Sequence, residues 1–227
     1  MTRVYILCEG QTEEAFVKAL LDPHFQSKNI YLKAILLGKP GHKGGNVNFD
    51  RLFPDIRNLL RGDKHAYCTT FFDFYGLPAD FPGKNLADSK RTAQDKADAI
   101  HQHLIEKLNQ KLNQEQTLQR FIPYVQMYEF EALLFSDPDK FATVLDQPKL
   151  RSNLQKIKNA FDTPEEINDS PNTAPSKRIT QLIKGYDKPI YGSRISSEIG
   201  LKTIREECKL FDAWLQKLEM VSPMNDR

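Results

Sequence analysis

Val4-Tyr5-Ile6-Leu7-Cys8-Glu9-Gly10-Gln11-Thr12-Glu13 is the stretch whose reading decides the fold. A short apolar run with β-branched and aromatic members stops at Glu9-Gly10, and an amphipathic, helix-like stretch from Glu13 to Leu21 follows at once. The pattern predicts a strand that delivers a carboxylate to a turn. Ligands of open α/β sheets sit in the crevice beyond the carboxyl ends of the strands, so an acid at Glu9 is badly placed for packing and well placed for chemistry.

The same pattern recurs further on. Ala66 to Phe72 reads as a strand, Asp73 ends it, and Phe74-Tyr75-Gly76-Leu77-Pro78 forces a turn. Between the two lie a second strand, Asn29 to Leu37, and a helix over Phe49 to Arg61. That helix carries apolar residues at Phe49, Leu52, Phe53, Ile56, Leu59 and Leu60, with Asn48 as its cap. If the strands ending in Glu9 and Asp73 are neighbours in a parallel sheet, their carboxylates lie roughly 5 Å apart sideways. Glu13, in the first turn of the helix after Gly10, points back toward Glu9 and suits the positive end of the helix dipole. Three converging carboxylates repel unless a cation joins them, and Mg²⁺ (or Mn²⁺), completed by water and a substrate phosphate, is the expected occupant. The plainer alternative leaves Glu13 as a helix cap and Asp73 as the start of a turn.

Gly38-Lys39-Pro40-Gly41-His42-Lys43-Gly44-Gly45 closes the second strand. It lacks the Gly-Lys-Ser/Thr of a Walker loop, and reads either as a surface loop or as a phosphate-contacting loop in which Lys43 takes part. Ala79 to Ser89 reads as a loop. Arg91 to Gln116 reads as a long polar helix with an apolar stripe at Ala93, Ala97, Ile100, Leu104, Leu108 and Leu112. Phe121 to Met127 is the fourth strand. Within Tyr128-Glu129-Phe130-Glu131-Ala132-Leu133-Leu134-Phe135, Glu131 is surrounded by apolar residues, which demands either a metal or an interior Lys or Arg as partner. Glu129, one alternation away, is placed to share its side.

After Pro138 strand-like alternation stops. Helical segments are expected over Asp139 to Leu145, Lys149 to Phe161, Pro164 to Ile167, Ser176 to Lys184, Ser193 to Gly200 and Leu201 to Leu218. Ser176 can cap a helix whose first turn carries Lys177 and Arg178. Cations oppose the dipole there, so they either serve a phosphate backbone or are simply solvated. The expected organisation is an α/β domain over 1–136, a parallel sheet of about four strands flanked by helices, with a mostly helical C-terminal part, 137–227, packed on it.

Of the 227 residues, 40% are apolar and 27% charged, an ordinary globular balance rather than that of a disordered chain. The formal charge of +2 argues neither for nor against a nucleic-acid partner, so any basic surface is local. Three cysteines, Cys8, Cys68 and Cys208, lack paired metal-site spacing and read as reduced thiols. No apolar run reaches membrane-spanning length, and a cytoplasmic protein with no membrane partner is expected. The five histidines form no HExxH pattern, and there is no Gly-x-Ser-x-Gly elbow.

Four segments in this order carry a resemblance: Glu9-Gly10-x-Thr12-Glu13, Phe72-Asp73-Phe74-Tyr75-Gly76-Leu77-Pro78, Glu129-Phe130-Glu131-Ala132-Leu133-Leu134-Phe135, and Thr173-Ala174-Pro175-Ser176-Lys177-Arg178-Ile179. Together they resemble domain of unknown function family 4276, a Toprim-like family distantly similar to the Toprim domains of overcoming-lysogenization-defect nucleases. The family is commonly found beside AAA or ABC-type ATPases in bacterial mobile-element or phage-defence settings. The resemblance implies a Toprim-like sheet in which Glu9 matches the Glu after the first strand, Glu13 the second acid and Asp73 the first residue of an Asp-x-Asp. Tyr75 stands where the second Asp is expected, so Asp80, Glu129 or Glu131 would have to replace it. The implied activity is a Mg²⁺-dependent nuclease acting on DNA or RNA with an ATPase partner. In it Glu9, Glu13 and Asp73 are catalytic, Glu9, Asp73, Glu131 and Glu129 hold metal, and Lys43, Lys177 and Arg178 contact phosphate. The alternative is a catalytically degenerate binding or regulatory subunit of the ATPase complex, and a homo-oligomer stays open.

Overall fold

A computed structural model describes residues 1–37, 47–112, 115–168 and 172–223. Strand β1 (Thr2–Cys8) is followed by helix α1 (Gln11–Phe16), a π turn (Val17–Leu21) and α2 (Asp22–Gln26), which return the chain to β2 (Ile30–Leu36). Helix α3 (Phe49–Gly62) leads to β3 (Ala66–Asp73), with Asn48 accepting a bond from the Arg51 amide as its cap. The sheet is parallel in the order β2-β1-β3-β4, so the two acid-ended strands are direct neighbours. The loop holding Lys43 lies outside the described residues.

Alternation along β1 builds two cores. Val4, Ile6 and Cys8 join one cluster, while Leu7 joins the other with Cys68 and Phe72 of β3. The second cluster is covered by α3 and α5 (Ala93–Leu112), whose stripe from Ala93 to Leu112 is buried as its period requires. A short helix, α4 (Lys84–Asp88), precedes α5 where a loop was expected, and α6 (Glu115–Leu118) follows it.

The fourth strand is not the continuous Phe121 to Met127 of the sequence reading. It forms two two-residue pieces, β4 (Phe121–Ile122) and β5 (Val125–Gln126), both parallel to β3. Pro123 lacks an N–H and interrupts the ladder. The Thr70 hydroxyl bridges the break, donating to the Tyr124 carbonyl at 2.7 Å and accepting from its amide at 3.0 Å.

A 3₁₀ turn (Phe130–Ser136) then leads into α7 (Pro138–Val144), α8 (Arg151–Asn159), α9 (Pro175–Leu182), α10 (Lys188–Ile199), α11 (Leu201–Glu207) and α12 (Lys209–Glu219). The expected helix over Pro164 to Ile167 is only a 3₁₀ turn (Pro164–Glu166), and two helix boundaries differ clearly from expectation. Helix α10 begins five residues before Ser193, because Asp187 caps it by accepting from the Ile190 amide and Pro189 suits its first turn. The expected Leu201–Leu218 helix breaks at Cys208. These helices share the first core with β1, α1 and β3: Phe211, Trp214, Leu215 and Leu218 pack with Val4, Ile6, Phe16 and Phe71. All three cysteines are free and buried. Among the described residues no helix is long and apolar enough to cross a membrane.

Candidate functional site: an acid cluster around one lysine

Glu9 leaves β1 at the sheet's carboxyl edge. Its Oε2 accepts from the Asp73 amide at 3.2 Å, tying the ends of β1 and β3 together. The turn after Asp73 passes so close that a Cβ on Gly76 would lie 2.5 Å from Glu9 Oε2 and 2.6 Å from Oε1. Glycine at this position is therefore a condition for the carboxylate to sit where it does.

Asp73 accepts from the Phe130 amide through Oδ1 at 2.8 Å, which fixes the 3₁₀ turn against the strand end. That turn in turn buries Glu131 to 1% exposure. Glu13, in the first turn of α1, is 2% exposed. Four carboxylates from four segments thus converge on one crevice.

The cation among them is Lys188, the first residue of α10. Its Nζ donates to Asp73 Oδ2 at 2.9 Å and lies 3.2 Å from Glu131 Oε2 and 3.5 Å from Glu13 Oε1. The helix that carries it comes close to α1 because Gly192 has no side chain: a Cβ there would meet Phe130 at 3.0 Å and Thr12 at 3.1 Å. The interior lysine that Glu131 required as an alternative to metal is this one. The signal for it in the sequence was the Asp187-Lys188-Pro189 cap, which places a cation at a helix start.

One ammonium does not satisfy four carboxyls. Glu13 Oε1 and both oxygens of Glu131 are buried without a hydrogen bond, although Glu13 Oε1 and Glu131 Oε2 lie within ion-pair reach of Lys188. Burial, followed by the charge of Asp73, pushes Glu9 up to about 7. Burial likewise raises Glu131 to about 7, against the pull of Lys188, and burial with Asp73 raises Glu13. Burial alone would depress Lys188, but Asp73, Glu131 and Glu13 outweigh it and hold the ammonium well above the ordinary lysine value. Carboxyls raised in this way favour the folded state at pH below their ordinary 4.5 and lose that contribution as pH rises through about 7. At neutral pH the cluster carries an electrostatic cost that a further cation would relieve.

The donors suit a hard divalent cation, being all carboxylate oxygens with three of them orphaned. They do not yet form a closed shell. Among the described residues no three His, Cys, Asp or Glu side chains stand together as ligands for one ion, and Lys188 lies between those that come nearest to it.

The other sequence candidates sit apart from this crevice or at its margin. Glu129 caps α9: its Oε2 accepts from the Ser176 amide at 2.7 Å and its Oε1 from the Ser176 hydroxyl at 2.9 Å. Ser176 therefore does not cap the helix itself. Lys177 is exposed, while Arg178 donates through Nε to the Thr173 carbonyl and lies over the Phe161 ring at 5.2 Å. Tyr75, in the second-Asp position, stacks at a tilt on Tyr128, 5.4 Å between centroids. Asp80 is exposed and lines a surface groove of about 630 Å³ with Arg51, Lys107 and Lys111, a groove that includes none of the four acids. Chemistry rather than surface shape marks the site.

Residues 8–219 match the model of a family described as Domain of unknown function (DUF4276). No curated protein matches the chain. Among solved structures it is similar to the C-terminal region of the Burkholderia pseudomallei OLD protein, with 15% identity and a TM-score of 0.44, covering 95% of this chain and 98% of that one. It is also similar to the C-terminal region of the Xanthomonas campestris pv. campestris OLD protein, with 13% identity and a TM-score of 0.40, covering 96% of this chain and 98% of the other.

Proposed function

This chain belongs to the DUF4276 family, whose description assigns no activity, and we propose from its acid cluster that it is a Toprim-type, Mg²⁺- or Mn²⁺-dependent nuclease acting on DNA or RNA. The observation that carries the reading is the convergence of Glu9, Glu13, Asp73 and Glu131 at the carboxyl edge of a parallel sheet, with three buried oxygens lacking hydrogen bonds. These four residues would hold the cation, Glu131 standing in for the acid that Tyr75 does not supply. Bound there, it supplies a Lewis acid that withdraws charge from a phosphodiester.

The chain's own groups do the rest. Lys188 stays protonated and offers a point charge to a non-bridging phosphate oxygen. Glu9 accepts from the Asp73 amide and holds the ends of β1 and β3, and with them the other ligands, together. Asp73, bonded to the Phe130 amide, keeps the 3₁₀ turn and Glu131 in register with the strand ends. Lys177 and Arg178, in the first half of α9, remain candidates for phosphate contacts, as does Lys43. Following the resemblance of the sequence, the partner is an AAA or ABC-type ATPase in a bacterial phage- or mobile-element-defence setting.

A second reading, a catalytically degenerate subunit that binds or regulates the ATPase, is favoured by one observation: Lys188 already neutralises part of the cluster without metal. Incubation of the purified chain, alone and with the ATPase, with plasmid and total RNA in Mg²⁺ or Mn²⁺ separates the two. Cleavage that falls about 10³-fold in Glu9→Gln combined with Asp73→Asn is expected for the nuclease. Cleavage that survives the double variant would sink this site as the catalytic one.

A further inference from the structure

The surface groove of about 630 Å³ shares no acid with the crevice, yet it adjoins it. The turn that brings Gly76 against Glu9 continues into Pro78 and Asp80, and both line the groove. Two residues span at most about 7 Å, so the lining begins within about 7 Å of the glycine that faces Glu9. This stretch is held in shape. The Phe81 amide donates to the Pro78 carbonyl at 3.0 Å, the Lys84 amide donates to the Phe81 carbonyl at 2.9 Å, and Phe81 is itself buried.

The rest of the lining is cationic in balance. It comes from the first turn of α3, Asn48 to Arg51, and from Lys107 and Lys111 of α5. Helix α3 is 14 residues long, and its N-terminus brings the positive end of the helix dipole to the groove. Lys111 Nζ lies 5.4 Å from the ring centroids of both Phe49 and Phe53, which stack at 6.0 Å with the planes 25° apart. The two rings hold the ammonium in place by cation–π attraction. Its ion pair with Asp50, at 3.5 Å, contributes little, because that carboxylate is 89% exposed and screened by water. Three cations against Asp50 and Asp80 leave the groove net positive in a chain whose charges nearly balance.

We propose that this groove is a docking track for the sugar–phosphate backbone of a nucleic acid, with Arg51, Lys107 and Lys111 on the phosphates beside the N-terminus of α3. Contacts of this kind fix the register of a strand without reading its sequence. The proposal rests on the nuclease reading for its substrate class: a strand seated in the groove passes the Gly76 turn and arrives at Glu9, so the docked phosphates set which phosphate enters the crevice. Asp80, on the same lining, opposes the backbone and tempers its affinity.

The test is fluorescence anisotropy of a labelled deoxyoligonucleotide, single-stranded and duplex, titrated with the full chain in chelator so that cleavage does not interfere. Lys107→Gln combined with Lys111→Gln removes two charges and keeps part of each aliphatic stem. The expected result is an affinity about 10-fold weaker, with a logarithmic salt slope smaller by about 1.5–2, at about 0.7–0.9 per lost phosphate contact. Asp80→Asn should tighten binding, which a merely structural role would not do. Lys202→Gln combined with Lys209→Gln, on the separate groove between α2, α11 and α12, should bind as wild type does. Wild-type affinity in the Lys107 and Lys111 double variant overturns the proposal, as does equal weakening in the Lys202 and Lys209 double variant. A wild type that binds neither oligonucleotide overturns it too. Cleavage by wild type in Mn²⁺ is read separately. Binding that depends on Lys107 and Lys111 in a chain that cuts nothing supports the groove and removes only the nuclease reading, whereas cutting by a chain whose binding ignores both lysines overturns the groove alone.

Discussion

Lys188→Ala is expected to lower the stability of the metal-free chain by about 3 kcal/mol, and divalent cation is expected to restore it. Removing one partner of a buried ion pair costs more than the pair was worth, because the remaining charge is left uncompensated, at about 3–5 kcal/mol. The lower end applies because the lysine side chain is 31% exposed, whereas Glu131 and Glu13 are 1% and 3% exposed. For a chain of this size that is a drop of about 6–12 °C in melting temperature. The sign of its pH dependence follows from the acids. Glu9 and Glu131, already raised to about 7, rise further without the ammonium and are relieved by protonation. The deficit relative to wild type should therefore be larger at pH 8 than at pH 5.5. Thermal melts in chelator and in Mn²⁺ at both pH values measure it, and a variant that melts like wild type in chelator would mean that the cluster carries no such cost. Mn²⁺ should bind this variant at least as tightly as wild type, since the competing ammonium is gone, while cleavage should fall.

Trp214→Ala is expected to cost about 3–5 kcal/mol, the range for truncating a large buried aromatic. Trp214 is 2% exposed and stacks on Tyr124 at 4.3 Å with the planes 6° apart. Its Nε1 donates to the Thr69 hydroxyl of β3 at 2.9 Å, so α12 is fastened to the sheet by both packing and a buried polar bond. The same ring touches Phe71, which adjoins the strand end bearing Asp73. Chemical denaturation of wild type, Trp214→Ala and Trp214→Phe should give three ordered midpoints, with the phenylalanine variant between the others. A loss under about 1 kcal/mol in Trp214→Ala would mean that the C-terminal helices are dispensable for the sheet.

The strands and their terminal acids were legible because strand position alone carries the information. Glu9 and Asp73 each follow an apolar run and precede a turn, and parallel pairing of β1 with β3 makes neighbours of them. Glu131 was legible as an anomaly, an acid among apolar residues. What could not be read was its partner, 57 positions away in sequence. Apolar periodicity marks α10 only from Ser193, so Lys188, which follows the Asp187 cap, lies outside the segment that the pattern predicts, although a cation at a helix start is the same signal that Lys177 and Arg178 carry. Pro123 is the sequence signal for the division of the fourth strand, since it cannot donate to the ladder. The role of Gly76 was out of reach, since a close approach to Glu9 depends on the path of the turn and not on its composition. Glu129 shows the limit of alternation: two residues before Glu131 it faces α9 and caps it, because a 3₁₀ turn rather than a strand separates the two.

The cation site is tested most directly by titrating Mn²⁺ into wild type and Asp73→Asn at pH 8 and pH 5.5. Wild type should bind at pH 8 and bind more weakly at pH 5.5, because Glu9 and Glu131, at about 7, hold protons that compete with the ion. Asp73→Asn should lose binding at both. Mn²⁺ heat in Asp73→Asn equal to that of wild type, or no heat in wild type at pH 8, would contradict the site.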